Sequence, residues 1–425
     1  MAVVDGFCGI RYSLKNGADI SDRIAPPYDV VVTDEAKAKL LAKSPFNIIA
    51  IDMPHTPPKQ AGPEQVYDLA GLQLFHWIKE GVFLRDREPA IYVYQQRFSH
   101  QNRNYTRRGF IARLKLEEFG TGSVFPHEQT YGGPKEDRLM LTKFTKSNMS
   151  QVFCLFDDDT NEITETLYTK LPTEPTYRGA IEDVVNEVWV VTDHELIKWV
   201  AAKMADRKIF IADGHHRYST SLMYRDLLSK QGKLTPNHPA NFVGCMFVSM
   251  SEPGLVILPT HRAIRDLPGL TLDELSGLLS EKFAVRWVSK QEEISEPDFG
   301  FIYQNDNRML VAQPKDVERI LDDQAEKHVP AWRKLPVAIL HSYLLDRIIY
   351  PKWLKTEKPS IEYFHLAGEV VDFVDNCPSS LGVLVPPTPI EAVKQISLAG
   401  ELMPQKSTFF YPKLATGLVI NPLFI

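Results

Sequence analysis

The stretch KIFIADGHHRYSTSLMY (residues 208–224) sets a carboxylate, a glycine, two imidazoles and a guanidinium in a row: Asp213, Gly214, His215, His216 and Arg217. The apolar residues Ile209, Phe210 and Ile211 before them read as a buried strand. Tyr218, Leu222, Leu227 and Leu228 after them recur at helical spacing. Asp213-Gly214 then fills a sharp turn, where glycine lets the backbone approach a ligand closely. His215, His216 and Arg217 fall at the helix N-terminus, whose unpaired N–H groups and dipole favour an anion. A forked, permanently charged arginine and two imidazole donors make phosphate the fitting anion. A shared transition-metal site is the weaker reading, because adjacent side chains diverge in both strand and helix. Asp213 alone opposes phosphate, unless it holds Mg²⁺, meets a substrate amine or caps the turn. In the purely structural alternative Asp213 caps the helix and the histidines are surface residues.

A second stretch bears on the first. SVFPHEQT (residues 123–130) holds His127 and Glu128 in loop-forming company. An exposed loop glutamate is by itself a solvated side chain. Delivered to a phosphate cradle, it can accept the proton of an alcohol while the cradle holds the transferring phosphoryl group. Positioned bases of this kind contribute roughly 10²–10⁴-fold.

Other candidates lie elsewhere in the chain. MPQKSTFFYPK (residues 403–413) offers Lys406, Ser407, Thr408 and Lys413 among aromatics. Lys406 is the lysine assigned here to a β- or γ-phosphate; the alternative is an edge segment packed by Phe409, Phe410 and Tyr411. Arg11, in GIRY, can grip a carboxylate or phosphate with both arms of its fork, or form a structural ion pair. Arg11 and His127 are assigned to substrate binding. Tyr28 and Asp29, in IAPPYDV, and His261 and Arg262, in LPTHR, follow short extended runs. Arg97, Arg103, Arg107, Arg108 and Arg113 share one hairpin, whose alternation turns half of them outward, so a solvated face is expected over the alternative of a phosphate-binding surface.

The elements that must hold these residues alternate in type. TDEAKAKLLAKSPFN (33–47) reads as a short helix with Thr33 as N-cap. EQVYDLAGLQLFHWIKEG (64–81) reads as an amphipathic helix with Val66, Leu69, Leu72, Phe75 and Trp77 or Ile78 on its apolar face and Gly81 just past its end. PAIYVYQQRF and YTRRGFIARLKL, joined by SHQNRN, predict a hairpin over 89–116. A long loop then leads into a helix starting near Lys135. VFCLFDDD (152–159) and EVWVVTD (187–193) predict strands, and HELIKWVAAKMADR (194–207) a helix feeding the strand before Asp213. Farther on, NFVGCMFVSM (241–250) and GLVILPTHRAI (254–264) read as paired strands, and PIEAVKQISLAG (389–400) as a helix closed by Gly400. The expected class is mixed α/β, in three regions: 1–88, 89–230 and 231–425.

Bulk properties narrow the function. A chain of 425 residues is long for one core. A net charge of −6 gives no footprint for nucleic acid, which is therefore not an expected partner. The four cysteines, Cys8, Cys154, Cys245 and Cys377, are scattered without a C-x-x-C pair and read as reduced. No apolar run is long enough to span a bilayer and the first residues carry no leader pattern, so a cytoplasmic protein without a membrane partner is expected.

The order P-H-E, then PKEDRLML, then strand-D-G-H-H-R-helix resembles the free serine kinases of the ParB/sulfiredoxin-like superfamily over residues 124–224. The resemblance implies a ParB/sulfiredoxin-like core flanked by further α+β regions, and transfer of a phosphoryl group from a nucleotide, ATP or ADP with Mg²⁺, to a small hydroxyl compound such as free serine. It implies Glu128 as base, Asp213 and His216 as further catalytic residues with Asp213 on the metal, and Gly214, His215 and Arg217 on phosphate. A nucleotide and a small metabolite are the implied partners, with a homodimer as a further candidate assembly. In those kinases the two motifs are closely linked, whereas a long segment separates them here. Two alternatives remain: a non-catalytic nucleotide-binding switch of the same superfamily, and a metal-dependent phosphoesterase. End to end, GIRY, IAPPYDV, RRGFIARLKLEE, PHEQT, PKEDRL, IADGHHRYST, LPTHR and GELMPQKSTFFYPKLATGLV resemble a widespread bacterial family of uncharacterised proteins.

Overall fold

Ile91–His100 and Arg103–Lys115 carry the consecutive apolar runs Ile91–Tyr94 and Phe110–Ala112, and Gln101 and Asn102 between the strands both take positive φ, 48° and 60°. That backbone closes a two-residue turn whose twist matches the flanking strands. The resulting antiparallel hairpin, from His100↔Arg103 to Tyr92↔Ile111, is the spine of the first of two compact units. The computed structural model describes the chain apart from positions 32, 59, 131, 290–293, 295–297, 305, 357 and 425. Its first unit comprises residues 1–256 and 412–425, and its second residues 257–411. Both boundaries expected from sequence, 88 and 230, fall inside the first unit.

In the first unit the sheet strands are β1 (Val4–Asp5), β2 (Ala18–Asp19), β3 (Ile91–His100), β4 (Arg103–Lys115), β5 (Val124–Phe125), β6 (Val152–Phe156), β7 (Tyr177–Ile181), β8 (Val184–Val191), β9 (Ile209–Asp213) and β10 (Phe242–Ser249). Their order is β2-β7-β8-β3-β4-β10-β6-β9-β5, with β1 beside β4. Antiparallel and parallel pairs mix: β9 runs antiparallel to β6 but parallel to β5, and β10 runs parallel to β6. The class is mixed α/β, as expected. The helices Glu162–Thr169 and His194–Met204 lay Ile163, Leu167, Leu196, Ile197 and Val200 into a core shared with Phe110, Phe156 and Phe247 of the sheet. Asp193 caps the second of these helices, its Oδ1 accepting from the amides of Glu195 and Leu196. The four cysteines are free thiols.

Three helices matter to the site: α1 (Glu64–Lys79), α2 (Gly132–Thr145) and α3 (His215–Lys230). The helix α1 forms where expected, but its buried stripe differs. Tyr67, Ala70, Gly71, Leu74 and Trp77 are buried, whereas Leu69, Leu72 and Phe75 are exposed. Close approach to α2 explains the exchange: a Cβ on Gly71 would lie 2.7 Å from the carbonyl oxygen of Phe144, so small residues line the contact. Tyr67 is admitted because its hydroxyl reaches Asp137 Oδ1 at 2.6 Å.

The second unit has an antiparallel six-stranded sheet in the order Phe283–Val288, Met309–Pro314, Phe299–Tyr303, Leu381–Leu384, His261–Ile264, Ile361–Phe364. Its core joins Leu275, Phe283, Leu310, Leu340, Leu344 and Val393. The expected pairing of NFVGCMFVSM with GLVILPTHRAI does not form. β10 pairs with β4 and β6, while His261–Ile264 pairs with Leu381–Leu384 and Ile361–Phe364. Neighbouring strands in sequence suggested a hairpin, and each instead has non-local partners that cover it on both edges.

Candidate functional site

Parallel pairing sets the geometry of the site. β5 and β9 run in the same direction, with Val124 opposite Ile209 and Phe125 opposite Phe210, so the chain leaves both at one edge. β5 leads at once into Pro126-His127-Glu128, and β9 ends in Asp213. The backbone N–H of His127 donates to His215 Nε2 at 3.2 Å, 88 positions away in sequence. The two rings meet edge-on, with centroids 4.7 Å apart. Because Nε2 of His215 is spent as an acceptor, the proton of its neutral ring belongs on Nδ1. Burial holds both rings neutral. It pushes His127 down to about 4, against a hydrogen bond with Ile211 and the charge of Asp213, and it takes His215 well below the usual histidine value.

Gly214 makes the turn into α3 with φ +91° and ψ +26°, a left-handed conformation that suits glycine. A Cβ there would lie 2.9 Å from Arg217 Nε, because Arg217 folds back beneath the turn. Its Nη1 donates to the carbonyl of Gln151, and its Nη2 lies 3.9 Å from Asp213 Oδ2. Asp213 Oδ1 accepts the N–H of Gly214 at 2.7 Å, and Oδ2 accepts from Lys413 Nζ at 2.9 Å. Burial alone would raise the Asp213 carboxyl, but the charges of Lys413 and then Arg217 hold it well below the carboxylate range. Burial would lower the Lys413 ammonium; Asp213, Asp29 and Glu128 outweigh it and keep it above the usual lysine value.

Lys413 arrives on a segment stapled into the first unit. Gln96 Nε2 donates to the Lys413 carbonyl at 3.1 Å, Tyr177 Oη to that of Leu418, and Gln151 Nε2 to that of Val419 at 2.7 Å. Arg107 belongs to the same arrangement. It is fully buried, donates from Nη2 to the Pro412 carbonyl at 2.5 Å, and stacks its guanidinium 4.8 Å over the Phe153 ring. Burial lowers it to about 10, although Tyr94 and Asp213 favour its charge. The hairpin arginines are thus not a uniform solvated face: Arg107 points inward, and Arg97, Arg108 and Arg113 pair with Glu187, Glu252 and Asp5.

Behind this layer stands Arg138 of α2. Its Nε donates to Asp137 Oδ2 at 2.8 Å and its Nη1 to the carbonyl and Oδ1 of Asp52 at 2.8 and 3.2 Å, while its guanidinium covers the Tyr28 ring at 4.0 Å. Beside Arg217 opens a small cleft, its cavity about 30 Å³ and continuous with solvent, lined among others by Asp52, Arg138, Thr142, Ser147, Thr220 and Arg217.

The residues singled out in the sequence are therefore partly gathered. His127, Asp213, Gly214, His215 and Arg217 are joined by the contacts above. Glu128 and His216 flank them, half-buried, with Glu128 acting on Lys413. Arg11 forms an ion pair, Nε to Asp86 Oδ1 at 2.9 Å. Lys406 belongs to the second unit, where its carbonyl accepts from Arg262 at 3.0 Å. Lys413, Arg107, Asp52 and Arg138 were not assigned from sequence. Arg138, Lys413 and Arg107 did stand in motifs already set apart, PKEDRL, MPQKSTFFYPK and RRGFIARLKLEE, whereas nothing local marked Asp52.

Among the described residues no three His, Cys, Asp or Glu side chains form a metal-holding group. Both oxygens of Asp213 are engaged, one by its own turn and one by Lys413. A Mg²⁺ carried in on phosphate would need one carboxylate, and Asp213 would supply it only by giving up Lys413 or its own turn amide. These residues do not form a cage for a resident ion.

A family model described as "Protein of unknown function (DUF1015)" matches residues 4–338. The chain belongs to this family. The DUF1015 match takes in P-H-E and D-G-H-H-R but ends before Lys413. No curated protein matches the sequence. Solved structures similar to this DUF1015 chain include a free serine kinase variant in complex with AMP, at 13% identity and TM-score 0.32, covering 68% of this chain and 84% of that one. SbnI with a C-terminal truncation, from Staphylococcus aureus, matches at 11% identity and TM-score 0.33, covering 71% and 84%. A conserved hypothetical protein from Pyrococcus furiosus matches at 13% and 0.31, covering 69% and 89%. Likeness at this level carries no argument about activity. Among the described residues no helix is long and apolar enough to cross a membrane.

Proposed function

We propose that the first unit is a phosphotransferase that moves a phosphoryl group from a nucleotide, ATP or ADP, to the hydroxyl of a small metabolite, with free serine as the leading acceptor. The observation that carries this reading is the bond from the His127 amide to His215, which holds the Glu128 loop against the phosphate-type turn at Gly214. The amides opening α3, with Arg217 and His216, bind the phosphate. Lys413 exchanges Asp213 for a phosphate oxygen and offsets charge as the reaction proceeds. Glu128 takes the acceptor's hydroxyl proton while that oxygen bonds to phosphorus. The bond from phosphorus to the bridging oxygen breaks, and the nucleotide leaves with its electron pair. Mg²⁺ carried by the nucleotide would use an oxygen of Asp213 and neutralise phosphate charge. His127 and His215, neutral and buried, position the loop. The phosphoesterase alternative loses ground because the Nε2 lone pair of His215 is already committed to an amide.

The test compares wild type with Glu128→Gln on ATP and ADP against a panel of amino acids and small alcohols, with product followed by phosphorus NMR. Wild type should form a phosphomonoester, and the variant should lose roughly 10²-fold or more in kcat while binding nucleotide normally. Equal turnover by the two proteins sinks the reading. Saturable nucleotide binding with no product from either would favour the non-catalytic switch.

A further inference from the structure

The cleft beside Arg217 has a polarity that phosphate binding does not use. Asp52 is 1% exposed and contributes to its wall. One carboxylate oxygen, Oδ1, is met by Arg138, but Oδ2 is buried without a hydrogen-bond partner. Leaving such an oxygen unmet is costly, and a native site that does so is suited to a donor from outside. Three hydroxyls that line the same cleft point to the same need. Thr142 Oγ1 donates to the Arg138 carbonyl at 2.8 Å, Ser147 Oγ to that of Thr145 at 3.0 Å, and Thr220 Oγ1 to that of Lys135 at 3.4 Å. Each hydroxyl hydrogen is spent on the backbone, so what remains to each oxygen is accepting capacity. The nearest guanidinium, Arg138, is itself committed to Asp137 and Asp52.

The wall also holds two guanidiniums, but Arg138 is committed to Asp137 and Asp52, and Arg217 to the Gln151 carbonyl beside Asp213, so what the buried carboxylate and these oxygens still lack is a donor. A hydroxyl brings one donor and no charge, whereas a primary ammonium brings three donors and a unit charge. We propose that this cleft is an ammonium-recognition site, in which Asp52 Oδ2 and the oxygens of Thr142, Ser147 and Thr220 accept from a small primary amine. Arg217 belongs both to the cleft wall and to the turn at Asp213, so a ligand held by its ammonium reaches toward the phosphate cradle. That the amine is also the phosphoryl acceptor rests on the phosphotransfer reading; the binding site itself does not.

Calorimetric titration of the full chain without nucleotide tests the site with two matched pairs: ethanolamine against ethylene glycol, and L-serine against glycerate. The amine of each pair should bind at least about 10-fold more tightly, since sites built around a ligand's donors reject analogues lacking them. Asp52→Asn should weaken amine binding at least 10-fold. If that variant does not fold, because Asp52 also pairs with Arg138, Thr142→Val keeps the ion pairs and should still weaken amine binding several-fold at unchanged Tm. Equal affinity within each pair, no binding by either amine, or wild-type affinity in the variants overturns the site. The two proposals separate cleanly. Amine binding retained without turnover leaves this site standing and removes the phosphotransfer reading. Turnover with glycerate as good an acceptor as serine does the reverse.

Discussion

At the scale of single residues, Gly214 and the histidine pair carry the sharpest consequences. Gly214→Ala must adopt φ near +91° and push a methyl against Arg217 Nε. The left-handed backbone alone costs roughly 1–2 kcal/mol, so a fall in Tm of several degrees is expected, with nucleotide affinity falling further because Arg217 is displaced. Unchanged melting and binding would show that the turn tolerates a side chain. His127 gives a pH signature. Its folded value is pushed from 6.5 to about 4 by burial, so between those values the unfolded chain binds more protons than the native one. Stability therefore rises with pH across that window and is lost on acidification from 6.5 toward 4. A shift of this size corresponds to something on the order of 3 kcal/mol. Chemical denaturation at a series of pH values should show the slope, and His127→Asn should remove about one proton's worth of it. The chemistry of D-G-H-H-R could be read from residue types, because a strand, a glycine turn and a helix start are all local signals. Asp52 and Arg107 could not, since their importance comes from being buried beside partners far away in sequence.

At the scale of elements, the packing of α1 shows where pattern reading stops. Helical spacing identified α1, but the larger apolar residues suggested the wrong buried stripe, because closeness to α2 selects Gly71 and Ala70 over Leu69 and Leu72. Substitutions should invert the usual ranking. Gly71→Ala improves helix propensity by about 1 kcal/mol, yet its Cβ meets the Phe144 carbonyl and should lower Tm, whereas Leu72→Ala should be nearly neutral. A stabilised Gly71→Ala would refute the close contact. The hairpin was legible for the opposite reason: two β-rich segments flank the turn-rich SHQNRN, a local signal, although the two-residue turn at Gln101-Asn102 and its register came only with the structure. That same register decides which arginines turn inward, a choice invisible until the neighbours β8 and β10 are known.

At the scale of the whole molecule, the second unit interrupts the first between Val256 and Pro412. A fragment of residues 257–411 contains its own sheet and core, so it should fold alone and melt cooperatively in calorimetry. A chain ending at 411 should behave differently. It loses Lys413 and the carbonyls that meet Gln96, Arg107, Gln151 and Tyr177, and its first unit should be protease-sensitive and several degrees less stable. Intact melting of that truncated chain would mean the terminal segment is dispensable. Strand and helix content was readable from sequence for most of both units. The interruption was not, because no composition change marks the place where a chain will return to an earlier sheet.

The ion pair between Asp213 and Lys413 joins residues 200 positions apart, with the entire second unit encoded between them. Synthesis proceeds from one end, so the carboxylate, the imidazoles and the glycine turn all emerge long before their ammonium. During that interval Asp213 lacks its strongest counter-charge. A ribosome that stalls, or a message that is cut, anywhere in the second unit leaves a chain with P-H-E and D-G-H-H-R in place and an unfinished site. The order of the genetic message thus acts as a completeness check on the chemistry.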